Sequence, residues 1–403
     1  MRPKRARILA QEEINMGFEK LTAYLDSLEE RYGVPGADLQ ITRGYETIYR
    51  HRVGWSDYDK TRPVSPEDVY DIYSGSKPVT MVGIMQLVER GLLSLDDRLD
   101  RYLPEFGQMK YATDYEIGGF PFHWPTAASP LAEAKRPMLI HDLMSMTAGL
   151  SYDLNAAPIR RVLAQDPAAG TRALVAAMAE MPLLYEPGTR YTYSLGHDVL
   201  AAVAEVVTGQ RFADYIRENV FEPLGIKRMY YHVPEQEKPH LAAQYAQDPA
   251  TGAIRPDRSM VFRLSPNYDS GGAGLCVSVE EYGKLTAALV NGGMGATGRR
   301  ILRPESIDEL RRNRLDVQQL RDFRLDGHEG YGYGLGVRTL IDPETSKSPL
   351  GEFGWDGAAG CYILVDPKNR VCLFYAQEVL GMLAAYREIH PAIRDLSYEA
   401  LGL

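Results

Sequence analysis

Ser74-Gly75-Ser76-Lys77-Pro78-Val79-Thr80-Met81-Val82-Gly83-Ile84-Met85-Gln86-Leu87-Val88 is the stretch that organises this chain. The run after Pro78 is apolar enough to read as a buried helix, and its pattern predicts helix over residues 80–93. Pro78 fits a first helical turn, where the backbone N–H has no intrahelical partner to lose. Ser74 and Lys77 are three residues apart, so on a helix they share one face. A serine at a helix N-terminus sits where free N–H groups and the positive dipole end favour a developing negative charge. A lysine one turn on lowers the cost of removing the serine proton.

The rest of the 403-residue chain is ordinary globular protein by composition, with 45% hydrophobic and 25% charged residues. Length alone suggests about two to three domains. The net charge is -9 with Lys and Arg scattered, whereas a nucleic-acid partner would need a basic stripe. The densest basic cluster, Arg311-Arg312-Asn313-Arg314, follows Glu305, Asp308 and Glu309 and reads as a solvated helix face. Cys276, Cys361 and Cys372 are odd in number and lack CxxC spacing, so neither a disulfide framework nor a zinc site is expected. No metal or cofactor motif is present. The basic start (Arg2, Lys4, Arg5, Arg7) meets Glu12-Glu13 before any apolar stretch, unlike a signal peptide. No window approaches the ~20 apolar residues of a membrane span. The expected address is the cytoplasm, without a membrane partner, and a monomer is the default.

Residues 10–32 read as an amphipathic helix, and residues 38–54 as a β-hairpin about Arg43-Gly44. The middle is mostly helical, over 80–93, 138–147, 171–182, 197–208, 211–220 and 279–291. Residues 101–137 lack periodicity and carry Tyr111, Tyr115, Phe120, Phe122 and Trp124, so they are either a lid or a surface insertion. Gly332–Val337 leads into a strand, residues 361–365 and 370–375 flank a Pro-Lys-Asn turn, and a helix follows from about 383. Strands at both ends and helices between them predict an α+β fold. One antiparallel sheet is flanked by N- and C-terminal helices, with residues 1–80 and 255–403 in the sheet domain. Residues 81–254 form an inserted, mostly helical domain, and the site lies between the two.

Two further stretches carry chemistry. Pro187-Gly188-Thr189-Arg190-Tyr191-Thr192-Tyr193-Ser194 delivers tyrosines just before a helix. A buried tyrosine near a lysine can shuttle a proton, though alternating core aromatics would look the same. Gly354-Trp355-Asp356-Gly357-Ala358-Ala359-Gly360 enters a predicted strand, either as a tight turn or as backbone open to a substrate. His197 either borders the site or merely starts its helix. His141 reads as a packing residue of its own helix, Asp356 serves either a turn or a substrate, and Ser76 is a supporting hydroxyl or a first-turn serine. There is no G-x-S-x-G, H-E-x-x-H or P-loop, and the G-x-G-x-x-G at Gly293, Gly295 and Gly298 follows a helix and reads as a loop.

Taken together, these elements resemble the serine β-lactamase and penicillin-binding-protein superfamily, whose signature includes S-x-x-K. His141–Leu150, Pro223–Ile226, Ser270–Leu275 and Tyr331–Gly336 resemble its class C branch, in the family's order, from about residue 40 to 380. The resemblance implies Ser74 as nucleophile, Lys77 as its partner, Tyr193 as the tyrosine of Y-x-N, and the N–H groups of Ser74 and Ala358 as oxyanion hole. The chain departs from the β-lactamase pattern at Leu195, where Y-x-N has asparagine, and at Trp355, where K-T-G has lysine. Tyr-Ser-Leu with Trp-x-Gly is similar to family VIII carboxylesterases and related acyltransferases. That implies a serine esterase or transesterase for small-molecule esters of short-to-medium acyl chains, with Trp355, Asp356, Gly357 and Leu195 about the substrate. A D-amino-acid peptidase or weak β-lactamase is the alternative.

Overall fold

The computed structural model describes residues 17–118 and 122–403. The early part of the expected N-terminal helix, residues 10–16, and Phe120 lie outside the described residues. The described part forms helix α1 (Glu19–Asp26), breaks at Ser27, resumes over Leu28–Tyr32 and stops at Gly33, whose φ is +74°.

Seven strands form the main sheet. They are β1 (Gly36–Arg43), β2 (Glu46–Gly54), β3 (Tyr331–Tyr333), β4 (Arg338–Leu340), β5 (Phe353–Gly354), β6 (Tyr362–Asp366) and β7 (Val371–Gln377). Their order is β3-β4-β5-β6-β7-β1-β2, antiparallel throughout. The first strands of the chain thus pair with the last, Ile41 opposite Leu373 and Leu39 opposite Tyr375. The stretch after Gly332 is mostly the turn between β3 and β4, because Gly334 N–H bonds to Val337 O (2.8 Å) and Gly336 takes φ +75°.

Side chains alternate across a strand, so the sheet has two apolar faces. Leu373, Tyr375, Leu39, Ile41 and Leu364 pack under α1 and the C-terminal helix, among Leu21, Leu25, Ile393 and Tyr398. Cys372, Phe374, Ile363 and Val365 face the helical middle. There Tyr282 stacks on Phe374 with centroids 4.4 Å apart. Burial on both faces is why β6 and β7 read as continuous apolar runs although the sheet is antiparallel. Each such side chain removed from water contributes roughly 1.5–3 kcal/mol.

Helix α2 (Lys77–Glu89) is buried from Lys77 to Leu87. It starts earlier than expected, at Lys77, and ends earlier because Gly91 turns the chain with φ +68°. Gly83 lets another helix close in: a Cβ there would lie 2.5 Å from Ile216 Cδ1. Helix α3 (Ile140–Met144) is also shorter than expected, stopped where Met146 takes φ +61°. Helices α4 (Gly196–Thr208), α5 (Val279–Val290) and α6 (His390–Leu401) complete the frame, with a π-helical turn over Ala385–Ile389 leading into α6. The basic cluster pairs locally, Arg311 with Asp308 (2.7 Å) and Arg312 with Glu309 (3.4 Å). Among the described residues, no helix is long and apolar enough to cross a membrane.

Candidate active site

Ser74 does not lie on α2 itself. It sits in the 3-10 turn Tyr73–Ser76 that feeds into it. Tyr73, the residue before it, has φ +46°, a conformation L-residues adopt at a cost of roughly 1–3 kcal/mol. Surrounding bonds hold that turn. Tyr73 Oη donates to Gln244 Oε1 (2.5 Å), and Tyr282 Oη donates to Gly75 O (2.8 Å). Ser76 Oγ accepts from Leu275 N–H (3.0 Å), so it ties the turn to the 270–275 loop.

Lys77 begins α2 and is fully buried. Its Nζ donates to Gly272 O (2.8 Å), Ser74 Oγ (3.2 Å) and Tyr152 Oη (3.3 Å). It also lies 4.5 Å from the Tyr193 ring centroid and 5.3 Å from that of Tyr152. None of these neighbours carries a full negative charge. Burial therefore lowers the Lys77 pKa to about 7, with the carboxylate of Asp198 opposing the shift. Asp198, in the first turn of α4, is separated from Lys77 by Gly272. A Cβ on Gly272 would meet Asp198 Oδ2 at 2.8 Å and Lys77 Nζ at 3.4 Å. Asp198 Oδ1 accepts from Tyr268 Oη (2.7 Å).

Tyr193 is brought to the same point by the turn before α4. Its ring is stacked between Tyr152 (5.0 Å) and Trp355 (5.6 Å). Its hydroxyl accepts from Trp355 Nε1 (3.0 Å) and is hydrogen-bonded to Ser74. Burial pushes the Tyr193 pKa well above its ordinary value, so the phenol rests protonated. Ser74, Lys77 and Tyr193 thus form one connected group.

Trp355 fills the position between Tyr193 and a second aromatic cluster. Tyr333 meets it edge-on at 5.0 Å, and His328 lies 5.4 Å away. Burial holds the His328 pKa down to about 4, so this ring is uncharged at neutral pH. Phe122 packs with Leu184 and Tyr185, and Tyr115 and Tyr193 lean on that cluster. Part of the 101–137 segment therefore covers one side of the site.

The remaining expected substrate contacts need revision. Leu195 is fully buried in the core beneath the site, so it packs rather than lines the cleft. Asp356 turns its carboxylate to Arg338 Nη1 (2.9 Å), away from a substrate role. At Gly357 the close approach comes from the protein itself, since a Cβ would meet Ile72 O at 2.1 Å. The turn Gly357–Gly360 thus abuts the backbone two residues before Ser74, and Ala358 is exposed at its tip. His197 is fully buried. Neither ring nitrogen has a partner among the described residues, and burial pushes its pKa well down. Tyr152 and Asp198 escaped the sequence reading, and Gly272 entered it only as part of the family-like stretch Ser270–Leu275. Tyr152 follows the family-like stretch by two residues, and Asp198 is five residues after Tyr193; those spacings are the only signals.

The profile of the beta-lactamase family matches residues 21–396. The chain belongs to that family. This beta-lactamase-family member is 29% identical to an uncharacterized protein of Mycobacterium tuberculosis (strain CDC 1551 / Oshkosh), over 91% of this chain and 95% of that one. It is 27% identical to Esterase EstB of Burkholderia gladioli, over 86% of each chain. The solved structure of EstCE1, described as a hydrolase with promiscuous acyltransferase activity, superposes with a TM-score of 0.74 at 24% identity, covering 97% of this chain and all of that one. The β-lactamase-like α+β fold expected from S-x-x-K and its companion motifs is the fold observed.

Proposed function

We propose that this chain is a serine carboxylesterase, an ester hydrolase or transesterase acting through an acyl-enzyme on Ser74. The observation that carries the reading is the setting of Lys77. It is a buried amine with a pKa near 7, 3.2 Å from the Ser74 hydroxyl, so it is available as a base at neutral pH. The likeness to Esterase EstB supports the same chemistry.

In the proposed reaction Lys77 Nζ takes the Ser74 proton as Ser74 Oγ bonds to the ester carbonyl carbon. The N–H groups of Ser74 and Ala358 hold the resulting oxyanion; a donor of this kind typically contributes about 10²–10³ in rate. The C–O bond to the alcohol then breaks. Tyr193 gives the departing oxygen its proton and recovers one from the Lys77 ammonium. The hydrogen bond from Trp355 Nε1 stabilises the charge that develops on the Tyr193 oxygen. Water, or a second alcohol, attacks the acyl-enzyme by the reverse route.

The substrate is a small ester with a short-to-medium acyl chain. The wall beside Tyr193 is made of Trp355, Tyr333 and an uncharged His328, with Trp355 standing where the β-lactamase pattern has the lysine of K-T-G. The test is turnover of p-nitrophenyl butyrate, a chromogenic cephalosporin and a D-alanine p-nitroanilide by wild type and Ser74→Ala. Dominant ester turnover that vanishes in the variant is expected. Dominant amide or β-lactam turnover, or an unaffected variant, overturns the reading.

A further inference from the structure

The turn Gly357-Ala358-Ala359-Gly360 is held from behind by the C-terminal segment. Tyr386, in the π-helical turn before α6, donates its hydroxyl to Gly357 O (2.9 Å) and shares it with Ala358 O (3.0 Å). Gly357 O also accepts from Gly360 N–H (2.8 Å), and Ala359 O from Val379 N–H (3.0 Å). His390 Nε2 lies 3.0 Å from Gly360 O, and since a carbonyl only accepts, that nitrogen is the donor. The His390 ring stacks on Tyr362 (4.7 Å) and meets the Tyr386 ring edge-on (5.4 Å, 85°), which fixes the tyrosine in turn.

Every carbonyl of this turn is therefore engaged. The Ala358 N–H, by contrast, donates to nothing among the described residues, and Ala358 is exposed. The Gly357 carbonyl and the Ala358 N–H belong to one peptide unit. In a planar trans peptide those two bonds point in opposite directions. A hydroxyl that anchors the Gly357 carbonyl on one side sets the direction of the Ala358 N–H on the other.

We propose that Tyr386 is a positioning residue that aims the Ala358 N–H at the oxyanion formed on the Ser74-bound carbonyl. The proposal rests on the esterase reading above. Tyr386 touches no reacting atom; it acts through the peptide it orients. The catalytic turn is thus completed by a side chain outside all three motif stretches, eighteenth from the last residue of the sequence.

The experiment compares full-length wild type, Tyr386→Phe and Tyr398→Phe. The last removes another tyrosine hydroxyl of the C-terminal region, one bound to Asp366 Oδ2 (2.8 Å). Tyr386→Phe is expected to lower kcat for p-nitrophenyl butyrate about tenfold, short of the 10²–10³ for outright loss of an oxyanion donor. Its KM should stay within about twofold. Its Ki for phenylboronic acid, whose tetrahedral adduct on serine mimics the oxyanion, should rise about as much as kcat falls. Tyr398→Phe should lower the melting temperature and leave kcat and that Ki unchanged. The same kcat and Ki in Tyr386→Phe as in wild type, or equal changes in Tyr398→Phe, overturns the positioning role while leaving the esterase reading intact. A wild type that neither turns over esters nor binds the boronic acid overturns both.

Discussion

Lys77 and Arg338 are both buried cations of the same molecule, 0% and 3% exposed, yet their surroundings drive them in opposite directions. Lys77 faces hydroxyls, a carbonyl and two ring faces, and its nearest carboxylate, Asp198, lies beyond Gly272. Its pKa falls to about 7. Arg338 contacts Asp356 directly, has Glu352 nearby and is covered by the rings of Tyr331 (5.4 Å) and Tyr362 (4.9 Å). These groups outweigh desolvation and raise its pKa, so it stays charged. Burial alone decides neither case. The position of the carboxylate decides, and it separates a proton carrier from a permanent strut behind the Trp355–Gly360 segment.

Lys77→Met should break the comparison most severely, lowering kcat about 10³–10⁴-fold in an ester assay. Its stability should change in the opposite sense. In wild type the lysine is protonated when unfolded up to its ordinary pKa of 10.5 but tends to lose its proton above about 7 when folded. Between those values the unfolded state binds more protons, so wild-type stability rises with pH. Lys77→Met should lack that rise, and its advantage over wild type should be largest below pH 7. Urea titrations of both proteins at pH 6 and 9 would show it; parallel pH profiles would contradict a depressed Lys77.

Arg338→Met is expected to leave Asp356 largely buried and unpaired and to cost about 3 kcal/mol in the same titrations. An unchanged midpoint would show that the ion pair is structurally idle. The pH dependence of kcat/KM sharpens the contrast. The acid limb should have an apparent pKa near 7, falling about tenfold per unit below it, because the rate follows the neutral amine. A flat profile from pH 5 to 8 would remove Lys77 as the base. Trp355→Phe is the mildest test. It keeps the ring stack but deletes the bond to Tyr193, and should lower kcat about three- to tenfold with little change in KM.

Much of the candidate site could be read locally. Ser74 and Lys77 are three residues apart at the entrance of an apolar helix, so the spacing puts them on one side, and the 3.2 Å approach is completed by a turn that tertiary bonds hold. Local pattern offered Tyr191 and Tyr193 alike as tyrosines ahead of a helix, and only the family resemblance pointed to Tyr193. The readings that failed concern where a side chain points. Leu195 and Asp356 stand beside the right residues in the chain, but one faces the core and the other faces Arg338, eighteen residues away on β4. Neighbours in a turn or strand diverge by large angles, so adjacency to a functional residue does not imply a shared surface.

The sequence by itself determined the N-terminal hairpin, most of the helical middle, the C-terminal hairpin and the Ser74–Lys77 pair. These follow from periodicity, turn residues and short spacing, which act over a few bonds. Only the tertiary structure decided that Lys77 has no ion-pair partner in contact among the described residues, that Tyr152 and Tyr193 cover it, and that Tyr386 reaches back to the turn at Ala358. Those properties depend on desolvation and on contacts between segments up to hundreds of residues apart. Such contacts exist only once the sheet has joined the two ends of the chain.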